Sequence, residues 1–191
     1  MKLKELCDIS NGSILSRFRR DTSPSQLPVI TVKAAENPEE NVSLEWLDDS
    51  HPQLLRAQKG DLIMSMTQPN TFIIDDRLAG WVVPSTFAYF HIQDPNQLMV
   101  GYLKWFLDAS EEYQRQLHLL KNSGGAIQFL KINDLKEVNI TLPNMDQQKK
   151  VASMMSIIQK ETELYQKKME LQTALMNYQG NQWIKENQHG N

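Results

Sequence analysis

The chain has 191 residues, of which 40% are hydrophobic, and this length and composition suit one globular domain with its own core plus an appended element. Its formal net charge is −3. The acidic balance argues against a protein that coats nucleic acid by bulk electrostatics, and the single cysteine, Cys7, excludes an intrachain disulfide framework or a zinc site built from several thiolates. No apolar run approaches the roughly 20 residues of a membrane helix, and the first residues lack the apolar stretch of a signal peptide, so we expect a cytoplasmic protein without membrane partners.

Short strands separated by turns dominate the sequence up to about residue 95. Each apolar or alternating run is bounded by Pro, Gly, Asn or Asp, which is typical of a β-rich domain. Cys7 is expected to be a small buried apolar residue in the first strand. The predicted strands are residues 29–32, 61–66, 72–74, 81–83 and 87–92.

Apolar residues recur at three and four positions from residue 96 to about residue 120, which predicts an amphipathic helix that packs on the sheet. A short strand is predicted over residues 138–142, where apolar and polar residues alternate. Pro143 ends this strand, and Asn144 is placed to cap the helix that follows. The pattern predicts an α+β fold, in which a β-rich head is covered by helices.

A long helix is predicted from about residue 145 to residue 178, with apolar side chains on two neighbouring seams. A single coiled-coil partner needs only one seam, so two seams suggest contact with more than one surface. At a rise of 1.5 Å per residue the helix is roughly 50 Å long, which corresponds to about 15 base pairs of DNA. We divide the chain into a head at residues 1–143, a coiled-coil-type helix at 144–179 and a polar tail at 180–191. One seam is Ile157, Leu164, Leu171, Leu175 and Tyr178, and the other is Ile158, Tyr165, Met169 and Met176.

Basic and amide side chains cluster in loops of the head, whereas acids concentrate at residues 36–49 and in the long helix. Arg, Lys, Asn and Gln pair with base edges when a rigid scaffold holds them over the major groove. A solvated basic turn, or ordinary turn chemistry at residues 67–70, would explain the same residues. Lys33 is a candidate phosphate contact. The candidate DNA-reading residues are Arg17, Arg19 and Arg20 in the first loop, Gln68 and Asn70 in the second, and Lys121, Asn122, Ser123, Gln128 and Lys131 around a pair of glycines.

Motifs for catalysis are missing from the sequence. It contains neither a phosphate-binding Walker loop nor a methyltransferase motif, and its four histidines are scattered without metal-ligand spacing. Asp75 and Asp76 could hold magnesium in a small nuclease, but adjacent carboxylates followed by Arg77 are more typical of a solvated turn. We therefore expect neither a metal nor a cofactor in this chain.

Several segments resemble the target recognition domain of specificity subunits from type I restriction-modification enzymes. The Gly124-Gly125 loop, the turn at Asp134-Leu135, a strand ending in Leu142-Pro143 and a helix start with glutamines follow one another in the order seen in that family. The opening Lys2 to Glu5 followed by Ile9 to Gly12, and the Gly60-Asp61 strand start, are similar to further family segments. The resemblance covers nearly the whole chain, with one recognition domain and one long helix where the usual subunit has two of each.

The resemblance implies a half-length specificity subunit that is not itself catalytic. Its head would read one part of a two-part double-stranded DNA target, and its helix would pair with a second copy. The helix would also dock a methyltransferase subunit that uses S-adenosylmethionine, and a restriction subunit could join the assembly. The alternative from another class is an oligomeric protein-interaction scaffold without sequence-specific DNA binding, which the acidic composition favours.

Overall fold

A four-stranded antiparallel sheet forms the centre of the head in the computed structural model, which describes residues 1–19, 25–67, 70–122 and 131–188. The strands β1 (Cys7–Asn11), β4 (Leu62–Ser65), β5 (Thr71–Ile73) and β6 (Phe87–Ile92) lie in the order β1-β6-β4-β5. A separate two-stranded ribbon pairs β2 (Ser25–Val29) with β3 (Ser43–Leu47). The strands predicted at residues 61–66, 72–74 and 87–92 are confirmed, and Cys7 is buried in β1.

Both faces of the two central strands are buried. Leu62, Met64 and Phe90 belong to the core cluster that includes the helices, whereas Ile63 and Tyr89 belong to a second cluster on the opposite face. Because successive side chains of a strand alternate between faces, burial on both sides requires a nearly continuous apolar sequence. This explains the nearly continuous apolar runs in β4 and β6, in which Ser65 and His91 are the polar residues.

In the described part of the head, four α-helices precede the long C-terminal helix: α1 (Val32–Glu36), α2 (Val100–Ala109), α3 (Glu111–Asn122) and α4 (Ile132–Glu137). The single helix predicted over residues 96–120 is wrong, because Ser110 divides it into α2 and α3. The Ser110 hydroxyl donates to the carbonyl of Phe106 at 2.7 Å and accepts from the backbone N–H of Tyr113 at 3.1 Å, so it ends one helix and caps the next. The α+β arrangement itself is confirmed.

Three predicted strands differ from the structure. The strand predicted at residues 29–32 ends at Val29, because the Thr31 side chain accepts from the N–H of Ala34 at 3.1 Å and starts α1. Residues 81–83 form only isolated bridges at Val82. Residues 138–142 are not a strand, although Asn139 makes an isolated bridge to Lys2.

The first residues of the chain lie beside this 138–142 segment. The N–H of Leu3 donates to the carbonyl of Val138 at 2.9 Å, and the N–H of Ile140 donates to the carbonyl of Met1 at 2.8 Å. The carboxylate of Glu137 accepts from the ammonium groups of two lysines, Lys2 and Lys4. The entry and exit of the head are therefore hydrogen-bonded neighbours.

The long helix α5 (Met145–Gln188) starts as predicted, since the Asn144 side chain accepts from the N–H of Gln147 at 3.0 Å. The helix continues past the predicted end at residue 178, and residues 180–188 of the predicted tail are helical, which corrects the boundary between helix and tail. Residues 189–191 lie outside the described residues. The compact head unit extends to Ala152, beyond the predicted boundary at residue 143, and the second unit is Ser153–Asn191.

Candidate nucleic-acid interface

Three loops of the head emerge at one end of the central sheet. In the antiparallel register, Asn11 at the end of β1 pairs with Ala88 near the start of β6, and Ser65 at the end of β4 pairs with Phe87, the first residue of β6. Met64 of β4 pairs with Thr71, the first residue of β5. The ends of β1 and β4 therefore lie beside the beginnings of β5 and β6. The loops that follow β1, join β4 to β5 and precede β6 share this edge.

A tight crossing holds two of these loops together. The N–H of Ser13 donates to the carbonyl of Val83 at 2.7 Å, and the N–H of Ser85 donates to the carbonyl of Ser13 at 2.8 Å. A Cβ atom on Gly12 would overlap the backbone carbonyl of Pro84, so only glycine permits this approach. The Ser13 hydroxyl also accepts from the N–H of Leu55 at 2.8 Å, which fixes the segment at residues 51–55 to the same place.

The crossing forms one wall of a polar cleft of about 580 Å³. The ring of His51 lies edge-on to Phe18, with ring centres 4.8 Å apart, and its Nδ1 accepts from the N–H of Gln53 at 3.2 Å. Among the described residues, no carboxylate lines the cleft. The polar groups that line it are those of Asn11, Ser13, Arg17, His51, Gln53 and Ser85. This cleft can offer guanidinium, amide and hydroxyl groups to an anionic or hydrogen-bonding ligand.

The predicted arginines of the first loop have different environments. Arg17 is exposed and lines the cleft. Arg19 forms an ion pair with Glu45 at 2.8 Å, and because the Arg19 side chain is 60% exposed, a phosphate could compete for it at little cost. Arg20 lies outside the described residues.

The other predicted DNA-reading residues belong to separate elements. Asn70 is exposed and lies at the cleft end of the sheet, whereas Lys33 is exposed on α1. Lys131 directly precedes α4. The last residue of α4, Glu137, forms ion pairs with Lys2 and Lys4, which precede β1, whereas the cleft lies at the other end of β1. Gln68, Ser123 and Gln128 lie outside the described residues, and Lys121 and Asn122 end α3 with side chains that also lie outside the described part.

Sequence reasoning missed most of the cleft, since Asn11, His51, Gln53 and Ser85 come from segments with no shared motif. The available signal was Gly12 directly after an alternating strand, because a glycine there marks a close backbone approach. Such a signal locates a crossing without revealing which distant segment meets it.

The long helix presents the two predicted seams to solvent. All nine apolar side chains named for these seams are exposed, with exposed fractions between 54% and 69%. Met154, Trp183 and Ile184, which the prediction omitted, are exposed by 58% or more. Such a surface has a large hydrophobic area available for contact with another helix or protein.

The carboxylates considered for magnesium are engaged in ion pairs. Asp75 binds the guanidinium of Arg77 at 2.6 Å, and Asp76 binds the ammonium of Lys59 at 2.8 Å. Partial burial acts to raise the pKa of Asp75, but hydrogen bonds from Arg77 outweigh it and lower this pKa. Within the described ranges, no group of three or more His, Cys, Asp or Glu side chains could hold a metal ion.

Asp61 explains the Gly-Asp start of β4. Its buried carboxylate accepts from the Tyr89 hydroxyl and lies 2.9 Å from Nδ1 of His91, which are both on β6. Burial, together with the bond to Asp61, raises the pKa of Tyr89 above its ordinary value. Because Asp61 precedes β4, this network lies at the end of the sheet opposite the cleft, where it joins the two central strands.

The fold agrees with comparisons with known proteins. The chain belongs to the type I restriction modification DNA specificity domain family, whose model matches residues 1–173. None of the helices in the described ranges is long and apolar enough to cross a membrane. The curated proteins that were searched contain no match to the chain.

Solved structures show the same fold. The HsdS subunit from Thermoanaerobacter tengcongensis matches 85% of this chain with a TM-score of 0.62 and 15% sequence identity. The type I restriction-modification S subunit from M. genitalium also matches 85% of this chain, with a TM-score of 0.53 and 17% sequence identity. A structure reported for complex assembly of the type I R-M system matches with a TM-score of 0.57 at 23% identity over 84%. The chain spans 42%, 39% and 38% of the length of these three chains, in that order.

Proposed function

We propose that this chain is a sequence-specific DNA-recognition subunit of a type I restriction-modification complex, that it reads one half of a two-part target and that it is not itself catalytic. The head contacts the DNA, and α5 joins a second copy of the chain and a methyltransferase subunit. The methyltransferase subunit supplies the S-adenosylmethionine, and a restriction subunit can join the same assembly. This places the protein in the cytoplasm, where its DNA is.

The observation that carries the DNA-reading part is the cleft at the loop end of the sheet, which is lined by Arg17 and by amide and hydroxyl groups and, among the described residues, by no carboxylate. DNA brings one phosphate charge per about 1.7 Å of duplex, so a contact surface with basic groups and few acids favours binding even when the whole protein is acidic. Arg17 can bind a phosphate or a guanine edge, and Asn11 and Gln53 carry the amide groups that pair with adenine. The crossing at Gly12 holds these groups on a rigid scaffold.

The exposed seams of α5 support the assembly part of the proposal. One seam is enough for an antiparallel pair with a second copy, and the neighbouring seam remains for the methyltransferase subunit. Two-fold pairing presents two identical heads to the duplex, so the target is expected to be an inverted repeat with an unread spacer.

The first test is light scattering on the pure chain, followed by selection from random double-stranded DNA with and without the cognate methyltransferase subunit. We expect a dimer that enriches a split inverted repeat in the presence of the methyltransferase subunit. A protein that stays monomeric alone and with that subunit contradicts the assembly proposal. A dimer that enriches no sequence supports the scaffold alternative instead.

A second test uses Arg17→Ala in the assembled complex. If Arg17 contacts a base edge, the substitution should weaken binding to the specific target by about 1–3 kcal/mol and relax the base preference at one position. If Arg17 contacts a phosphate, the substitution should weaken binding to all DNA sequences about equally and reduce the slope of log affinity against log salt concentration by about one. Lys59→Ala is the matched control, because it removes one exposed positive charge next to the opposite end of the sheet. Equal effects of the two substitutions would assign Arg17 no role in the cleft beyond its charge.

A further inference from the structure

The ribbon of β2 and β3 has its apolar side chains on the outside. Glu45 pairs with Leu27 and Ser43 pairs with Val29, and these pairs face inward, since Leu27 and Val29 belong to a buried cluster. The alternate positions of β3 therefore face outward. Leu44 and Trp46 face outward, whereas the inward positions of β3 are Ser43, Glu45 and the fully buried Leu47, so only one of the three inward residues is apolar.

Val42, Leu44 and Trp46 form this outer stripe, with exposed fractions of 54%, 52% and 56%. The stripe is adjacent to Pro28 of β2, which pairs with Leu44. Single exposed apolar residues are common on proteins, but Leu44 and Trp46 alternate along β3, and Val42 lies immediately before the strand, so three large apolar side chains are exposed together. Tryptophan in such a patch is the residue type that most often anchors a protein interface.

The charges around the stripe indicate what can cover it. Residues 34–55 contain six carboxylates, of which Glu45 pairs with Arg19 and Asp49 with Arg56, and Glu39 and Glu40 are exposed directly ahead of the stripe. This acidic border repels the phosphates of DNA. It also opposes a second copy on the same patch, because a two-fold interface places each surface against itself and would bring like charges together.

We propose that this stripe is a docking surface for a protein with an apolar pocket bordered by lysine and arginine, and that the methyltransferase subunit supplies that surface. The inference rests on the proposed function, since it gives the same complex a contact on the head in addition to α5. Trp46 enters the pocket of the partner, and the carboxylates at Glu39 and Glu40 face its basic border.

The test compares the affinity of full-length variants for the purified methyltransferase subunit by biolayer interferometry. Trp46→Ser should weaken binding by about tenfold or more, as expected for an interface anchor. Leu44→Ser should act in the same direction, and it keeps the test valid if the tryptophan variant does not fold. Leu119→Ser is the matched control, because Leu119 is an exposed apolar residue of the head on α3, with 69% of its surface accessible.

The charge reversal Glu39→Lys with Glu40→Lys should also weaken binding, and less so at high salt. If the native chain binds the methyltransferase subunit and the stripe variants bind equally well, the docking surface is wrong while the proposed function stands. If the native chain neither binds that subunit nor selects a DNA sequence, both proposals fail. If Trp46→Ser instead weakens DNA binding alone, or changes the mass found by light scattering, the stripe belongs to DNA or to a second copy and the docking proposal is overturned.

Discussion

Gln148 fastens the beginning of α5 to the rest of the head. Its side chain is only 1% exposed, accepts from the N–H of Met99 at 3.0 Å, and donates to the carbonyls of Gln97 and Pro143, both at 3.0 Å. In Gln148→Leu the N–H of Met99 has no acceptor and both carbonyls lose a donor. The cost of buried groups left without partners predicts a loss of about 2–4 kcal/mol in the free energy of unfolding.

The assay is urea unfolding of the full chain followed by a thermal scan. At roughly 2–4 °C per kcal/mol for a protein of this size, Tm should fall by about 5–15 °C. Gln147→Leu is the control, because Gln147 is the neighbouring residue, has the same side chain and is exposed. A Gln148→Leu variant whose free energy of unfolding lies within about 0.5 kcal/mol of the control would refute the reasoning.

Three further outcomes are expected. Hydrogen bonds from Lys2 and Lys4 lower the pKa of Glu137 to about 2. Because this pKa is lower in the folded chain than in the unfolded chain, the ionised carboxylate stabilises the fold fully above the unfolded value of about 4.3, and this stabilisation is lost as the pH falls toward 2. Glu137→Gln should therefore flatten the pH dependence of Tm in that window. Burial raises the pKa of the Cys7 thiol to about 12, so the thiol should react with a disulfide reagent at pH 8 only after unfolding, and fast reaction of the native chain would contradict the burial. A Cβ atom on Gly101 would lie 2.7 Å from Cβ of Ala152. Gly101→Ala should therefore lower the free energy of unfolding in urea by about 1–2 kcal/mol, despite the higher helix propensity of alanine. Adding Ala152→Gly should restore most of this loss.

The central strands and the long helix could be predicted because their signals are local. β4 and β6 are apolar runs bounded by turn residues, and Asn144 caps α5 as its position suggested. The break at Ser110 could not be found, because the apolar period continues across it and only the serine hydroxyl ends α2. β3 was missed although residues 42–46 alternate between apolar and polar side chains, and its pairing with β2 depends on a segment that showed no comparable alternation.

The candidate site depends on contacts between distant residues and was therefore only partly predictable. Arg17 was identified from local basicity, but Gln53 and Ser85 reach the same cleft through hydrogen bonds around Ser13, which no local pattern encodes. The side chains named for the seams of α5 are exposed on a helix, and helical periodicity alone decides which of them share a face. Long-range register, by contrast, decides which loops meet.

The hydrogen bonds between the first residues of the chain and the 138–142 segment have a consequence for modularity. Where the polypeptide enters and leaves a folded body at adjacent backbone positions, as Met1 and Ile140 do, the body can be inserted into or exchanged within another chain as a cassette. The host then needs only to tolerate two ends about 5 Å apart, the spacing of neighbouring strands. A head of this kind can be transferred together with the first turns of α5, which carry Gln148 and Ala152, while the loops at the far end of the sheet keep their geometry.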